Sequence, residues 1–106
     1  MGIDYTADLG YGIKITDAEL LEKLCEEEID LPKELVIFWG GYDDDNETYV
    51  AVKESHFDEW KCMDDKIINP DKLIVKPEWD GLIKKFMKEH KIKNAKIGWR
   101  LVSGAC

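Results

Sequence analysis

The sequence has few of the features that mark a secreted, membrane-spanning or disulfide-bonded protein. None of its apolar runs approaches the roughly 20 residues that cross a bilayer. The three cysteines, at positions 25, 62 and 106, are odd in number and widely spaced, which does not suit a disulfide framework. The N-terminus lacks the basic-then-apolar layout of a signal peptide. The sequence therefore predicts a cytoplasmic protein with a single domain over residues 1–106 and no membrane partner.

Signatures of catalysis and of cofactor binding are also lacking. The glycines at positions 10, 12, 40 and 41 match neither a dinucleotide-binding nor a phosphate-binding loop, and no nucleophile elbow is present. Asp43, Asp45, Glu47 and Glu54 have the spacing of four calcium-loop ligands, but Thr48 stands where that loop needs glycine, and strand patterns flank it. The sequence predicts no cofactor, no metal site and no catalytic residue, and it leaves an enzymatic activity unsupported.

The stretch with the clearest pattern is residues 34–54, which read ELVIFWGGYDDDNETYVAVKE. Residues 35–39 are branched or aromatic at every position, as expected of a strand that is buried on both faces. Residues 48–53 resume a strand pattern after a run of Asp and Asn, which form turns. This stretch predicts a β-hairpin with an acidic tip.

Two helices and two further strands are predicted around this hairpin. Alternation at 11–15 indicates a strand, and Thr16 with Glu19 forms a capping box that begins a helix, which ends near Pro32. Pro77 begins a second helix. Its apolar stripe consists of Trp79, Leu82, Ile83, Phe86, Met87 and His90. Residues 97–102 alternate as a last strand.

Residues 56–76 have mixed polarity and no sustained period. We interpret them as a long connection with a short helical turn near 58–63 and a short strand near 73–75. Connections of this length without structure are uncommon in compact domains. The segment is therefore expected to cover part of the fold or to carry a function.

The element order is strand, helix, strand, strand, helix, strand. This order predicts an α+β two-layer sandwich of the ferredoxin-like βαββαβ type, with both helices on one face of an antiparallel sheet. The alternative is a plainer α+β meander. In the ferredoxin-like arrangement the second strand lies at a sheet edge, so its second apolar face needs a cover, either residues 56–76 or a second copy of the chain.

Charge is unevenly distributed along the chain. Residues 1–75 carry 20 acids and 7 lysines, a balance of −13, whereas residues 76–106 carry 3 acids, 7 lysines and Arg100, a balance of +5. An acidic body repels nucleic acids and anionic membranes and favours a basic surface on a protein partner. The basic cluster from Lys84 to Arg100 is either a nucleic-acid patch or a solvated face, and the acidic body favours the second interpretation.

The predicted partner-binding residues are carboxylates of the hairpin tip and of the first helix. They are Asp43, Asp44, Asp45 and Glu47, supported by Glu22, Glu26 and Glu27. Carboxylates on a rigid scaffold can imitate a phosphate array and occupy a groove that is lined by Arg and Lys.

The chain is short and acidic, lacks catalytic motifs, and contains the segments MGIDY at 1–5 and GYGI at 10–13. In these features it resembles the small accessory and counter-defence proteins of bacteriophages. The resemblance implies a non-enzymatic inhibitor of a host nucleic-acid-handling or defence complex. Two alternatives are a small-ligand or divalent-metal site formed by His56, Asp58, Cys62 and neighbouring carboxylates, and a structural homo-oligomer, such as a homodimer, with a sheet face as its interface.

Overall fold

The computed structural model describes residues 5–26, 29–41, 47–60 and 67–105, and these residues form an α+β fold. Their strands are β1 (Tyr5–Ile15), β2 (Leu35–Gly40), β3 (Glu47–Val52), β4 (Phe57–Trp60) and β5 (Gly98–Ala105). Their helices are α1 (Ala18–Cys25) and α2 (Pro77–Glu89). The predicted α+β class is confirmed. The α2 start at Pro77 is as predicted, because that position has no hydrogen-bonding need for an amide.

β1 lies at the centre of one antiparallel sheet. Its residue Gly12 pairs with both Ala51 of β3 and Gly98 of β5, and Leu9 pairs with both Phe57 of β4 and Leu101 of β5. Therefore β3 and β4 lie on one side of β1, and β5 lies on the other. β2 pairs with the far side of β3. These pairings are compatible with a two-layer α+β fold.

The main core lies between one face of this sheet and the two helices. It has ten buried members: Ile13, Ile15, Leu20, Leu24, Leu35, Val50, Val52, Trp79, Ile83 and Phe86. Both helices contribute to this single cluster, so both cover the same sheet face. The predicted apolar stripe of α2 is confirmed at Trp79, Ile83 and Phe86, because residues three and four apart share one side of a helix.

The other face of β2 is covered by the sheet itself, which curls until β2 reaches β5. The amide of Gly41 donates to the carbonyl of Ser103 at 3.0 Å, and a side chain at Gly40 would overlap Val102. A second core of Phe38, Tyr49, Ala51 and Val102 fills the concave side. Residues 56–76, one of the two covers predicted for β2, contribute through His56, whose ring stacks on Phe38 with 5.2 Å between the ring centroids. The contribution of β5 to this cover was not predicted.

The structure corrects two predictions near the N-terminus. β1 begins at Tyr5, six residues before the predicted strand, because β4 and β5 pair with its first half from both sides. The cap of α1 is Asp17 and not the predicted Thr16. The Asp17 Oδ1 atom accepts the amides of Glu19 at 2.9 Å and Leu20 at 3.1 Å, which satisfies two amides that the helix leaves free.

The segment at 56–76 also differs from its prediction. Residues 57–60 form β4, so the predicted helical turn is wrong there, and residues 61–66 lie outside the described residues. No strand forms at the predicted 73–75, because Leu73 ends a 3₁₀ turn, Pro70–Leu73, and residues 74 and 75 are irregular. That turn forms because the Asn69 side chain accepts the amide of Asp71 at 3.0 Å and Pro70 has a helical φ. In the part of the chain that the structure describes, no helix is long and apolar enough to span a membrane.

Candidate functional site

The predicted partner-binding carboxylates fall into three groups in the structure. Glu22 lies on the exposed side of α1, and the exposed Glu26 is the C-cap residue that follows the helix. The opposite side of α1 packs into the main core through Leu20 and Leu24. Glu47 is exposed at the start of β3. The other four predicted residues, Asp43, Asp44, Asp45 and Glu27, lie outside the described residues. The assignment of all seven to partner binding stays a prediction.

Glu47 is held in place by two neighbours. Its Oε1 atom accepts from the Lys14 ammonium at 2.8 Å, and its Oε2 atom accepts from the Tyr49 hydroxyl at 2.9 Å. The hydrogen bond from Lys14, followed by the one from Tyr49, lowers the pKa of Glu47 below the ordinary value. Glu47 therefore stays ionised, but Lys14 offsets part of its charge.

The carboxylates of α1 are less closely paired with cations than Glu47 is. The Glu19 Oε1 atom lies 3.8 Å from the Nζ atom of Lys23, which follows one helical turn later. Within the described ranges, no ion pair joins Glu22 or Glu26 to a cation, and none reaches across the fold from the exposed lysines of α2, which are Lys84, Lys85 and Lys88. As far as the described part of the chain extends, the outer side of α1 therefore presents two negative charges without a cationic partner, one helical turn apart.

His56, which the sequence suggested as a ligand residue, is paired with Asp8. Its Nε2 atom lies 2.8 Å from the Asp8 Oδ1 atom, and the two side chains are 17% and 12% exposed. The side chain of Asp58 and all of Cys62 lie outside what is described. The described residues contain no group of three or more His, Cys, Asp or Glu that could hold a metal ion. Asp8 was missed because residues 1–10 show no periodic pattern, and its partner is 48 residues away.

Three aromatic rings pack where β1, β5 and α2 meet. Tyr11 lies 5.9 Å from Trp79 and 5.7 Å from Trp99, measured between ring centroids. The Tyr11 hydroxyl donates to the Asp80 Oδ1 atom at 2.7 Å. This hydrogen bond is the largest of the effects that raise the pKa of Tyr11, and burial adds to it. The aromatic cluster thus fixes α2 on the sheet.

We expect Tyr11 and Tyr49 to ionise later than free tyrosine in an alkaline titration followed by tyrosinate absorbance. The pKa of Tyr49 is raised mainly by burial and next by its hydrogen bond to Glu47. The pKa of Tyr11 is raised mainly by its hydrogen bond to Asp80. Below the ordinary value of 10.0 both the folded and the unfolded chain keep these protons. Above it only the unfolded chain releases them, so the free energy of unfolding falls as the pH rises. Tyr11→Phe and Tyr49→Phe should each reduce the absorbance change at the high-pH end of the titration. If all tyrosines of the unsubstituted protein ionised together at the ordinary pKa, the raised pKa values of Tyr11 and Tyr49 would be contradicted.

A cleft of about 580 Å³ lies between the end of β1, the start of α1 and the loop that joins α2 to β5. Five of its lining residues are cationic: Lys14, Lys91, Lys93, Lys96 and Arg100. Apolar side chains of Ile15, Ile92 and Ala95 form part of its wall. We call this feature the basic cleft. The predicted Lys84–Arg100 cluster is therefore split in two, because its loop residues and Arg100 line the cleft whereas its lysines on α2 lie outside it.

Large apolar side chains remain exposed on other parts of the surface. Trp39 is 54% exposed and Leu101 is 79% exposed. Scattered exposed apolar residues are ordinary on soluble proteins, so they do not identify an interface. The homodimer stays a prediction.

The described residues thus define an α+β protein with an acidic helix face, a partly buried Asp–His pair and a basic cleft. No protein-family model, curated protein or solved structure was found to match the chain.

Proposed function

We propose that this protein is a non-enzymatic binding module that inhibits a nucleic-acid-handling or defence complex by occupying a basic groove on it. The observation that carries the proposal is the outer side of α1, where Glu22 and Glu26 are exposed and uncompensated within the described chain. Residues four apart on a helix are separated by about 6 Å along its axis. Neighbouring phosphates of a DNA strand have a similar separation, because the rise of about 3.4 Å per nucleotide adds to their displacement around the duplex axis. A groove that accepts phosphates can therefore accept these carboxylates.

The rigidity of α1 supports the same proposal. Asp17 caps the helix through two amides, and Leu20 and Leu24 are buried in the main core. A carboxylate on a fixed backbone loses less conformational entropy on binding than one on a mobile segment. In this proposal Glu47 adds a further carboxylate, and Glu27, Asp43, Asp44 and Asp45, which lie outside the described residues, stay predicted contacts. The protein would act in the cytoplasm of a bacteriophage host, as its resemblance to phage accessory proteins implies.

A finer description of the fold belongs to the same proposal. The adjacency of β2, β3, β1 and β5, each antiparallel to its neighbour, supports a ferredoxin-like sheet in which β4 is an addition after β3. Such a sheet places both helices on one face and leaves the outer side of α1 free for a partner. An experimental structure with a different order of these four strands would exclude it.

The proposed function predicts salt-sensitive binding that depends on α1. A partner captured from the host lysate would be purified, and its Kd measured at rising salt concentration. Glu22→Gln/Glu26→Gln should weaken binding about tenfold at low salt, because exposed ion pairs contribute roughly 0.2–1 kcal/mol each. The weakening should shrink as salt screens the charges. DNA should compete for the same groove on the partner.

Glu78→Gln/Glu89→Gln is the matched control, since it removes two exposed carboxylates from α2 instead of α1. It should leave the Kd within about twofold, because its sites lie outside the proposed surface. The proposal fails if binding does not depend on salt, if the α1 variant binds at full strength, or if both double variants weaken binding equally.

A further inference from the structure

The basic cleft has more cationic side chains than the described carboxylates near it can pair with. Of its five cations, Lys14 is paired with Glu47. Lys91, Lys93, Lys96 and Arg100 have no carboxylate within 4.0 Å among the described residues. The carboxylate that lines the cleft, Asp17, accepts two backbone amides of α1. Cations that crowd together in this way repel each other, and an anion bound among them removes that repulsion.

Arg100 lines this cleft, and the chain itself holds its guanidinium in place. Its Nη2 atom donates to the carbonyl of Lys96 at 2.7 Å, which fixes the guanidinium against the loop. Its Nε atom is buried and finds no acceptor in the part of the chain that the structure describes. Buried donors in native proteins almost always have a partner. The guanidinium is also the side chain best suited to phosphate oxygens, since its donors form a planar fork.

The loop that carries the other cations has a fixed backbone. Lys91 adopts the left-handed conformation with a φ of 56°, and the amide of Ile92 donates to the carbonyl of Met87 at 2.8 Å. These two features end α2 as a C-cap does. Ile92, Ala95 and Ile97 then pack against the main core. Lys93 and Lys96 therefore project from an ordered loop, which lowers the entropic cost of binding an anion.

We propose that the basic cleft binds a small phosphate-bearing molecule through its diphosphate group, with Arg100 and the loop lysines as the contacting cations. The cleft volume of about 580 Å³ falls within the range of small-molecule sites. None of its described lining residues is aromatic, so the cleft offers no surface for base stacking. The phosphate groups, and not a nucleoside, are the recognised part.

The charge of the rest of the chain favours a small ligand over a polymer. Residues 1–75 carry a balance of −13, which opposes a long polyanion or an anionic membrane. In physiological salt, charges act over a screening length of about 8 Å. A diphosphate inside the cleft is governed by the nearby cations, whereas a polymer would extend over the acidic surface. This site is distinct from the α1 surface, and the inference does not depend on the function proposed above.

Isothermal titration with inorganic pyrophosphate tests the site on the full chain. We expect pyrophosphate to bind at least about tenfold more tightly than inorganic phosphate and to raise the Tm, because it contacts more cations and binds only the folded state. ADP should bind within about threefold of pyrophosphate, since the nucleoside has no stacking partner. Arg100→Gln/Lys96→Gln should weaken pyrophosphate at least about tenfold.

Lys84→Gln/Lys88→Gln is the matched control, because it removes two exposed lysines of α2 outside the cleft. It should change the Kd by less than about twofold. Lys91→Gln/Lys93→Gln, which alters two exposed loop residues, provides the same test if Arg100→Gln does not fold. The proposal is overturned if pyrophosphate neither binds nor shifts the Tm, or if the cleft and control variants lose equal affinity. It is also overturned if single-stranded RNA binds more tightly than pyrophosphate and loses that affinity with the cleft variants.

Discussion

Replacing Gly12 with alanine is expected to destabilise the protein by about 3 kcal/mol. Gly12 lies in the central strand β1, between Ala51 of β3 and Gly98 of β5. A methyl group there would overlap the carbonyl oxygen of Val50 and lie 2.5 Å from the Cα atom of Ala51. These are backbone atoms of a paired strand, and they cannot rotate away as a flexible side chain would. The methyl group can be accommodated only if β1 and β3 move apart, which weakens their hydrogen bonds.

Gly81→Ala is the matched control, since it adds the same methyl group in α2, where nothing lies within 4 Å. It should stabilise the protein by about 0.5–1 kcal/mol, because alanine restricts the unfolded chain and favours a helix. Urea unfolding of the three proteins gives the free energies. Similar stabilities for Gly12→Ala and the unsubstituted protein would show that β1 and β3 do not approach as closely as described.

The helices could be predicted from the sequence because their signals are local. Pro77 marks the start of α2, and Trp79, Ile83 and Phe86 recur at helical spacing. The cap of α1 was placed one residue too early, because the spacing of Thr16 and Glu19 fits a capping box, although Asp17 is the better cap by residue type. Periodicity thus indicates which side of a helix is buried more reliably than it locates the end.

The first half of β1 could not be predicted in the same way. Residues 5–10 include Asp8 and Gly10 and show no alternation, so nothing local indicates a strand. Its structure comes from pairing with β4 and β5, and the β5 partners follow about ninety positions later in the chain. The curl that brings β2 to β5 has the same origin, because it depends on tertiary contacts at Gly40 and Val102.

The candidate sites were visible from the sequence only in part. The excess of cations after residue 76 was evident, but its separation into a cleft and an exposed helix face was not. Lys14 joins the cleft from β1, far away in sequence. The Asp8–His56 pair depends on two strands that had no predicted contact. A surface on one helix can be inferred from local spacing, whereas a cleft between several elements requires the fold.

Phe38→Ala is expected to cost about 3–5 kcal/mol, whereas the same truncation of the next residue, Trp39→Ala, should cost about 1–2 kcal/mol. Phe38 is 3% exposed, and its ring lies between Tyr49 at 5.3 Å and His56 at 5.2 Å. Its removal empties the concave side of the curled sheet and takes away the ring on which His56 rests while it pairs with Asp8. Trp39 is the larger side chain, but it is 54% exposed, and it lies next to the last residue of β2 on the face opposite Phe38. Urea unfolding compares the two variants, and a larger loss for Trp39→Ala than for Phe38→Ala would reverse the assignment of the β2 faces.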